Sequence, residues 1–159
     1  MANKLWYPWD EMRRDVNTLC REIVLDKFDP CCIVGISRGG LLPGVMMSHW
    51  LNKPFKPVKA ALRDFPEWED YLPRKTDERV LIVDDICDSG VTFKKIQHTL
   101  IKNSVHKNCD VRFATLWLNN EQDIEPDYYV HEIAKDSENA WIDFAWESWW
   151  DPARQPGLK

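Results

Sequence analysis

The sequence lacks any apolar run long enough to cross a bilayer, because its most apolar stretches, Cys31–Ile36 and Val80–Val83, are only a few residues long. Its first ten residues, Met1-Ala-Asn-Lys-Leu-Trp-Tyr-Pro-Trp-Asp10, lack the apolar segment of a signal peptide, so a cytoplasmic protein is expected. It lacks a CxxC pair. Its five cysteines, Cys20, Cys31, Cys32, Cys87 and Cys109, are odd in number, and two of them adjoin inside an apolar run. That argues against a disulfide framework and against a zinc site. An excess of positive charge is also missing: 26 acidic against 21 basic residues give a net charge of −5. A general nucleic-acid binder would present a basic face, so nucleic acid is not the expected partner. A small anionic ligand stays compatible, since backbone N–H groups, a few local cations and a metal ion can hold one. The four histidines, His49, His98, His106 and His131, are scattered without metal-ligand spacing. No repeat and no low-complexity stretch is present.

What is present is a chain of 159 residues, 44% hydrophobic and 30% charged, which suits one domain over 1–159 with a real core. Asp10 is placed to cap a helix running to about Leu25, with Met12, Val16, Leu19, Cys20, Ile23 and Val24 on one face. Asp29-Pro30 breaks the chain before a buried strand at Cys31–Ile36. The loop Ser37-Arg-Gly-Gly40 leads into a helix over Leu41–Leu51, whose early Pro43 fits a first turn. A short strand is expected at Pro57–Leu62, then a long charged loop at about 63–78 with Pro66 and Pro73. Val80–Val83 reads as a strand, Asp84–Thr92 as a polar loop, and Phe93–Lys102 as a helix with Phe93, Ile96, Leu100 and Ile101 inward. Further strands are expected at Val111–Leu118 and, near a sheet edge, at Tyr128–Ile133. This alternation implies an α/β fold with a mostly parallel sheet covered by helices. Ligands of such sheets sit beyond the carboxyl ends of the strands, where both glycine-containing loops fall.

The segment Val80-Leu-Ile-Val-Asp-Asp-Ile-Cys-Asp-Ser-Gly-Val-Thr92 concentrates the chemistry. Four apolar residues drive a strand into the core, and Asp84 and Asp85 emerge together at its tip. Adjacent carboxylates repel, so they favour a cation or a set of hydroxyl donors such as the 2′ and 3′ hydroxyls of a ribose. Asp88-Ser-Gly-Val-Thr92 then opens a helix; Gly90 permits a tight turn, and Ser89, Thr92 and the first helical amides form an anion cradle. Hydroxyl acceptors and phosphate donors thus stand about one sugar-phosphate length apart. The competing reading is a capped helix preceded by a solvated acidic turn.

Val80–Thr92 resembles the ribose-5-phosphate motif of the type I phosphoribosyltransferases, which bind phosphoribosyl pyrophosphate; Ser89 stands where most members have threonine. Ile33-Val-Gly-Ile-Ser-Arg-Gly-Gly-Leu-Leu-Pro-Gly44 is similar to the pyrophosphate loop of the bacterial xanthine-guanine members. Tyr7-Pro-Trp-Asp10 and Trp141-Ile-Asp-Phe-Ala-Trp-Glu147 resemble segments at the two ends of that subgroup. The resemblance implies the type I fold, with a small base-binding hood built from the chain ends (about 119–159 at the C-terminal side). It implies transfer of 5-phosphoribosyl to a purine base, guanine, xanthine or hypoxanthine, with Mg2+ as cofactor. It also implies a homo-oligomer, dimer or tetramer.

Roles carried over by the resemblance are these. Asp84 and Asp85 would hold the ribose hydroxyls, directly or through the metal, and Asp143 would assist the metal. Asp88 would take the proton lost by the base nitrogen, or hydrogen-bond the base. Asp88, Ser89, Gly90, Val91 and Thr92 would surround the 5′-phosphate. Ser37, Arg38, Gly39 and Gly40 would contact pyrophosphate, with a cis peptide expected at Ser37–Arg38. Arg63, Arg74 and Lys75 would serve a loop closing over the site. Trp141 would stack on the base and the Ile142 backbone would meet its edge. Trp149 and Trp150 are assigned to packing or a subunit contact. One departure stands out. The strand Ala114–Asn119 aligns with one ending in a lysine that donates to the purine 6-oxo group, and Asn119 occupies that place here. An amide both donates and accepts, so it could recognise an oxo or an amino group. Two alternatives therefore stay open: a transferase of this fold for another nucleobase, and a non-catalytic nucleotide sensor that binds RNA.

Overall fold

A computed structural model describes residues 3–58 and 77–154. The elements are β1 (Asn3–Tyr7), α1 (Trp9–Leu25), β2 (Cys32–Ile36), α2 (Leu41–Leu51), β3 (Phe55–Val58), β4 (Arg79–Cys87), α3 (Val91–Lys102), β5 (Asp110–Asn119), β6 (Tyr128–Ile133) and β7 (Ala140–Phe144). Five strands form one sheet in the order β3-β2-β4-β5-β6, and every pairing in it is parallel. The central strands alternate between two cores, as a strand's period of two requires. Ile33, Leu81, Val83, Ala114 and Leu116 pack with Val16, Leu19 and Met47 of α1 and α2. Val34, Ile36, Val80 and Ile82 pack on the opposite face with Phe93, Ile96 and Leu100 of α3. Helices thus cover both faces, which is what continuous apolar strands need.

Several boundaries differ from the sequence reading. Pro8 rather than Asp10 caps α1; its backbone is extended and its carbonyl accepts from Met12 N–H at 3.2 Å. Asp10 and Glu11 instead occupy the first turn, where the helix dipole favours negative charge. Val24 and Ile101 are exposed at 53% and 58%, outside the buried stripes assigned to them. β2 starts at Cys32, leaving Cys31 exposed, and β3 covers Phe55–Val58, so 59–62 of the expected strand lie outside the described residues. β4 continues through Cys87 instead of ending at Val83. The reason is its neighbour: the ten-residue β5 carries the ladder onward, pairing Asp84 with Thr115, Ile86 with Trp117 and Cys87 with Leu118. Parallel pairing overrides the local polarity of the two aspartates.

The chain ends form a second, two-stranded sheet. β1 and β7 run parallel, with Leu5 opposite Ile142 and Tyr7 opposite Phe144. Tyr7 ties this pair to the main body. Its ring meets Trp117, Phe144 and Trp146 edge-on, and its hydroxyl donates to the Asp15 carboxylate at 2.5 Å. His131 Nε2 lies 2.7 Å from the same carboxylate oxygen and its ring stacks on Trp117. Burial and the Asp15 charge together push the Tyr7 phenol far above its ordinary range. The buried Asp15 is therefore satisfied from both sides, as a carboxylate under a hydrophobic layer must be. No helix of the described residues is long and apolar enough to cross a membrane.

Candidate functional site

Asp84 and Asp85 lie near the carboxyl end of the central strand β4. The Asp85 N–H donates to Asp84 Oδ1 at 2.9 Å, and the Ile86 N–H to Asp85 Oδ1 at 2.8 Å. Burial raises the Asp84 carboxyl well above its ordinary value, and the neighbouring Asp85 charge adds to the rise. Burial also pushes Asp85 up to about 6; the Ile86 amide opposes that shift and the Glu147 carboxylate adds to it. Two desolvated acids of like charge form a site that gains from a counter-ion or from hydroxyl donors.

The β2–α2 loop folds down onto these acids. A Cβ placed on Gly39 would stand 2.1 Å from Asp85 Oδ2, so the carboxylate fills the space a side chain would take. A Cβ on Gly40 would stand 2.1 Å from the Val83 carbonyl oxygen and 2.9 Å from Asp84 Cα. Glycine at both positions is thus a condition of the close approach. The Ser37–Arg38 peptide is cis, as expected. The Ser37 N–H donates to the Val58 carbonyl at 2.7 Å, which fixes the loop to the end of β3.

Beyond β4 the chain turns at Asp88-Ser-Gly90 and starts α3 at Val91, two residues earlier than the periodicity suggested. Gly90 has φ of +70°, and a Cβ there would meet Ile124 Cγ2 at 1.9 Å. The second constraint is tertiary: the space over Gly90 is occupied by Ile124 from the β5–β6 connection. Asp84, Asp88, Ser89, Gly90 and Thr92 together line one small cavity of about 70 Å3. One of the sugar-binding candidates, Asp84, is thereby brought beside most of the phosphate-binding turn, while Asp85 and Val91 do not line this cavity.

The remaining candidates are spread around this centre. Trp141 is half exposed at 49%, with the Lys135 ammonium 4.9 Å from its ring centroid. Lys135 in turn makes an ion pair with Asp88. Ile142 is buried in β7, opposite Leu5 of β1. Asn119 is buried at the end of β5, and its Oδ1 accepts from Lys135 N–H at 3.2 Å and Glu121 N–H at 3.4 Å. Asp143 lies in the small sheet opposite Trp6. It does not close a three-carboxylate cluster with Asp84 and Asp85. Among the described residues the one group of three metal-capable side chains gathered within 4.8 Å is Glu11, Asp15 and His131. Trp149 and Trp150 are each 66% exposed and touch each other edge-on, so they are not packed into the core. Arg63, Arg74 and Lys75 lie outside the described residues. Sequence reasoning missed Lys135 as a member of the site. The position of Lys135 just past the end of β6 was the one available signal, and it became readable only with the strand order in hand.

Comparison with known proteins fits this geometry. Residues 7–152 match the phosphoribosyl transferase domain model. A xanthine-guanine phosphoribosyltransferase of Chromohalobacter salexigens is 29% identical over 146 residues, which cover 87% of this chain and 81% of that one. The crystal structure of a purine phosphoribosyltransferase from Pyrococcus horikoshii superposes with a TM-score of 0.71 at 27% identity, covering 90% of this chain and 93% of that one. The xanthine-guanine-hypoxanthine phosphoribosyltransferase of Helicobacter pylori shares the fold, with a TM-score of 0.76 at 20% identity over 97% of this chain and 99% of that one. With the parallel sheet, the paired acids of β4 and the two loops folded over them, a match spanning nearly the whole chain shows that it belongs to the phosphoribosyltransferase family of enzymes.

Proposed function

We propose that the chain transfers the 5-phosphoribosyl group of phosphoribosyl pyrophosphate to a purine base, guanine, xanthine or hypoxanthine, giving a nucleoside monophosphate and pyrophosphate. The observation that carries this reading is the meeting of three segments around the end of β4: the Asp84–Asp85 pair, the Ser37–Gly40 loop packed against it, and the Asp88–Thr92 turn, which lines one small cavity with Asp84. In this reading Asp84 and Asp85 accept from the ribose hydroxyls, and their charge favours a sugar that becomes cationic at C1. The amides and hydroxyls of 89–92, at the start of α3, hold the 5′-phosphate. Arg38 and the Gly39 amide face the pyrophosphate that departs, while the Gly40 N–H holds the loop by donating to the Ile36 carbonyl at 2.8 Å. Asp88 accepts the proton that a base nitrogen loses. Holding base and sugar in line contributes as much as any single group.

Two adjacent, desolvated carboxylates fit a hydrated divalent cation, which commonly binds through one or two carboxylates and substrate phosphates. Asp84 and Asp85 would hold Mg2+, with Asp143 as a further candidate; when bound it supplies charge neutralisation at the leaving pyrophosphate. We place the enzyme in the cytoplasm as a homo-oligomer with a single functional unit over 1–159.

The test is a panel of nucleobases incubated with phosphoribosyl pyrophosphate and magnesium, with pyrophosphate release as readout. Release with guanine, xanthine or hypoxanthine supports the assignment. Release only with another base moves the chain to a different specificity, and silence with every base despite tight nucleotide binding points to a sensor.

A further inference from the structure

The lysine that donates to the purine 6-oxo group in the resembling enzymes is missing at Asn119, yet a lysine still reaches the site. Lys135 enters from the turn between β6 and β7, and its ammonium pairs with the Asp88 carboxylate. The same ammonium stands 4.9 Å from the centroid of the Trp141 ring. Its side chain is only 18% exposed, unlike an ordinary surface lysine. The turn that carries it is held from two sides. Asn119 Oδ1 accepts the Lys135 N–H at 3.2 Å, and Glu121 accepts the Ser137 N–H at 3.1 Å and pairs with the Ser137 hydroxyl. Asn119 therefore spends its carbonyl on the backbone of Lys135 rather than on a base.

The chemistry of the pair is specific. A 6-oxopurine presents N7 and O6 side by side on one edge. While N7 carries a proton, that edge is a donor next to an acceptor. Asp88 beside Lys135 is an acceptor next to a donor. A 6-aminopurine presents an N–H2 donor at the same place, which would face the ammonium with no acceptor.

We propose that Lys135, anchored by Asn119, is the residue that selects a 6-oxo group on the base, with Trp141 as the stacking face and Asp88 as its neighbouring acceptor. This rests on the purine transferase reading above. In the absence of base the ammonium stays on Asp88; with a 6-oxopurine in place it donates to O6, while Asp88 accepts from N7–H of the free base or, once it has taken that proton, donates it back to N7 of the product nucleotide. Asn119 acts here as a positioning residue.

The experiment is calorimetric titration of the full chain and of Lys135→Met and Lys135→Arg with GMP, AMP and ribose 5-phosphate. The wild type should bind GMP at least about tenfold tighter than AMP, because the 6-amino group leaves the ammonium unpaired. Lys135→Met should weaken GMP by about 10- to 100-fold, bring it level with AMP, and leave ribose 5-phosphate within about threefold. Lys135→Arg, which keeps charge and donors, should retain the preference for GMP. Unchanged GMP binding in Lys135→Met, with ribose 5-phosphate bound normally, overturns this inference and leaves the transferase reading intact. A wild type that binds ribose 5-phosphate but prefers AMP also overturns it. A wild type that binds none of the three overturns the transferase reading, and this inference with it.

Discussion

Replacing Gly39 by alanine isolates the contact between the two halves of the proposed site. The added Cβ would stand 2.1 Å from Asp85 Oδ2, against an ordinary contact of 3.4 Å or more, so the carboxylate must retreat by roughly 1.3 Å. What it strikes is the end of a side chain, and φ at Gly39 lies outside the positive range. Folding should therefore lose only about 1 kcal/mol, the low end of overpacking costs. That corresponds to a fall in Tm of roughly 2–4 °C for a chain of this size. Function should lose far more, because a displacement of about 1 Å at a group that positions substrate costs on the order of 100-fold in rate. The assay pairs thermal unfolding with kcat/KM for pyrophosphate release. Gly40→Ala serves as contrast: its Cβ meets the Val83 carbonyl, a backbone atom that cannot rotate away, so stability should fall there first. A Gly39→Ala protein with full activity would refute the argument, since it would mean that the Asp85 carboxylate is free to move without consequence.

Gly90→Ala should destabilise the fold by about 2–4 kcal/mol, combining a positive φ with a clash against Ile124. A Tm within about 2 °C of wild type would show that the Ile124 contact yields easily. Asp88→Asn should slow turnover with little loss of ribose 5-phosphate affinity, as a carboxamide still accepts a hydrogen bond but takes up no proton. Equal turnover in wild type and variant would remove Asp88 from the proton-accepting role. A pH effect follows from Asp85, whose folded value of about 6 exceeds its ordinary value of 3.8. The folded state then binds more protons than the unfolded state between these values, so stability falls as pH rises through that window. In magnesium-free buffer the wild type should lose stability relative to Asp85→Asn from about pH 4 to pH 6, and magnesium should restore it above pH 6. Parallel curves for the two proteins would show that Asp85 is not held in a desolvated place.

Local pattern determined a good deal of this protein. The stripe Met12, Val16, Leu19, Cys20 and Ile23 marks α1 because a helix buries one face, and the run Val80–Val83 marks a strand buried on both faces. The segment from Asp84 to Thr92 carries its own chemistry within a few residues, so its acids and its glycine turn are readable without any partner, while the ends of β4 and α3 are not. The same holds for Ser37–Gly40, whose glycines announce a close approach. Tertiary structure decided what depends on distant neighbours. β4 runs on to Cys87 because β5 is there to pair with it. Gly90 is bound to its place by Ile124 as well as by its own φ. The chain ends pair as β1 and β7, and Asp15 is buried because Tyr7 and His131 reach it from other elements. The meeting of Lys135, Asp88 and Trp141 belongs to this second kind. No local spacing encodes it, since Asp88 stands 47 residues before Lys135 and meets it only when the parallel crossovers align the ends of β4 and β6.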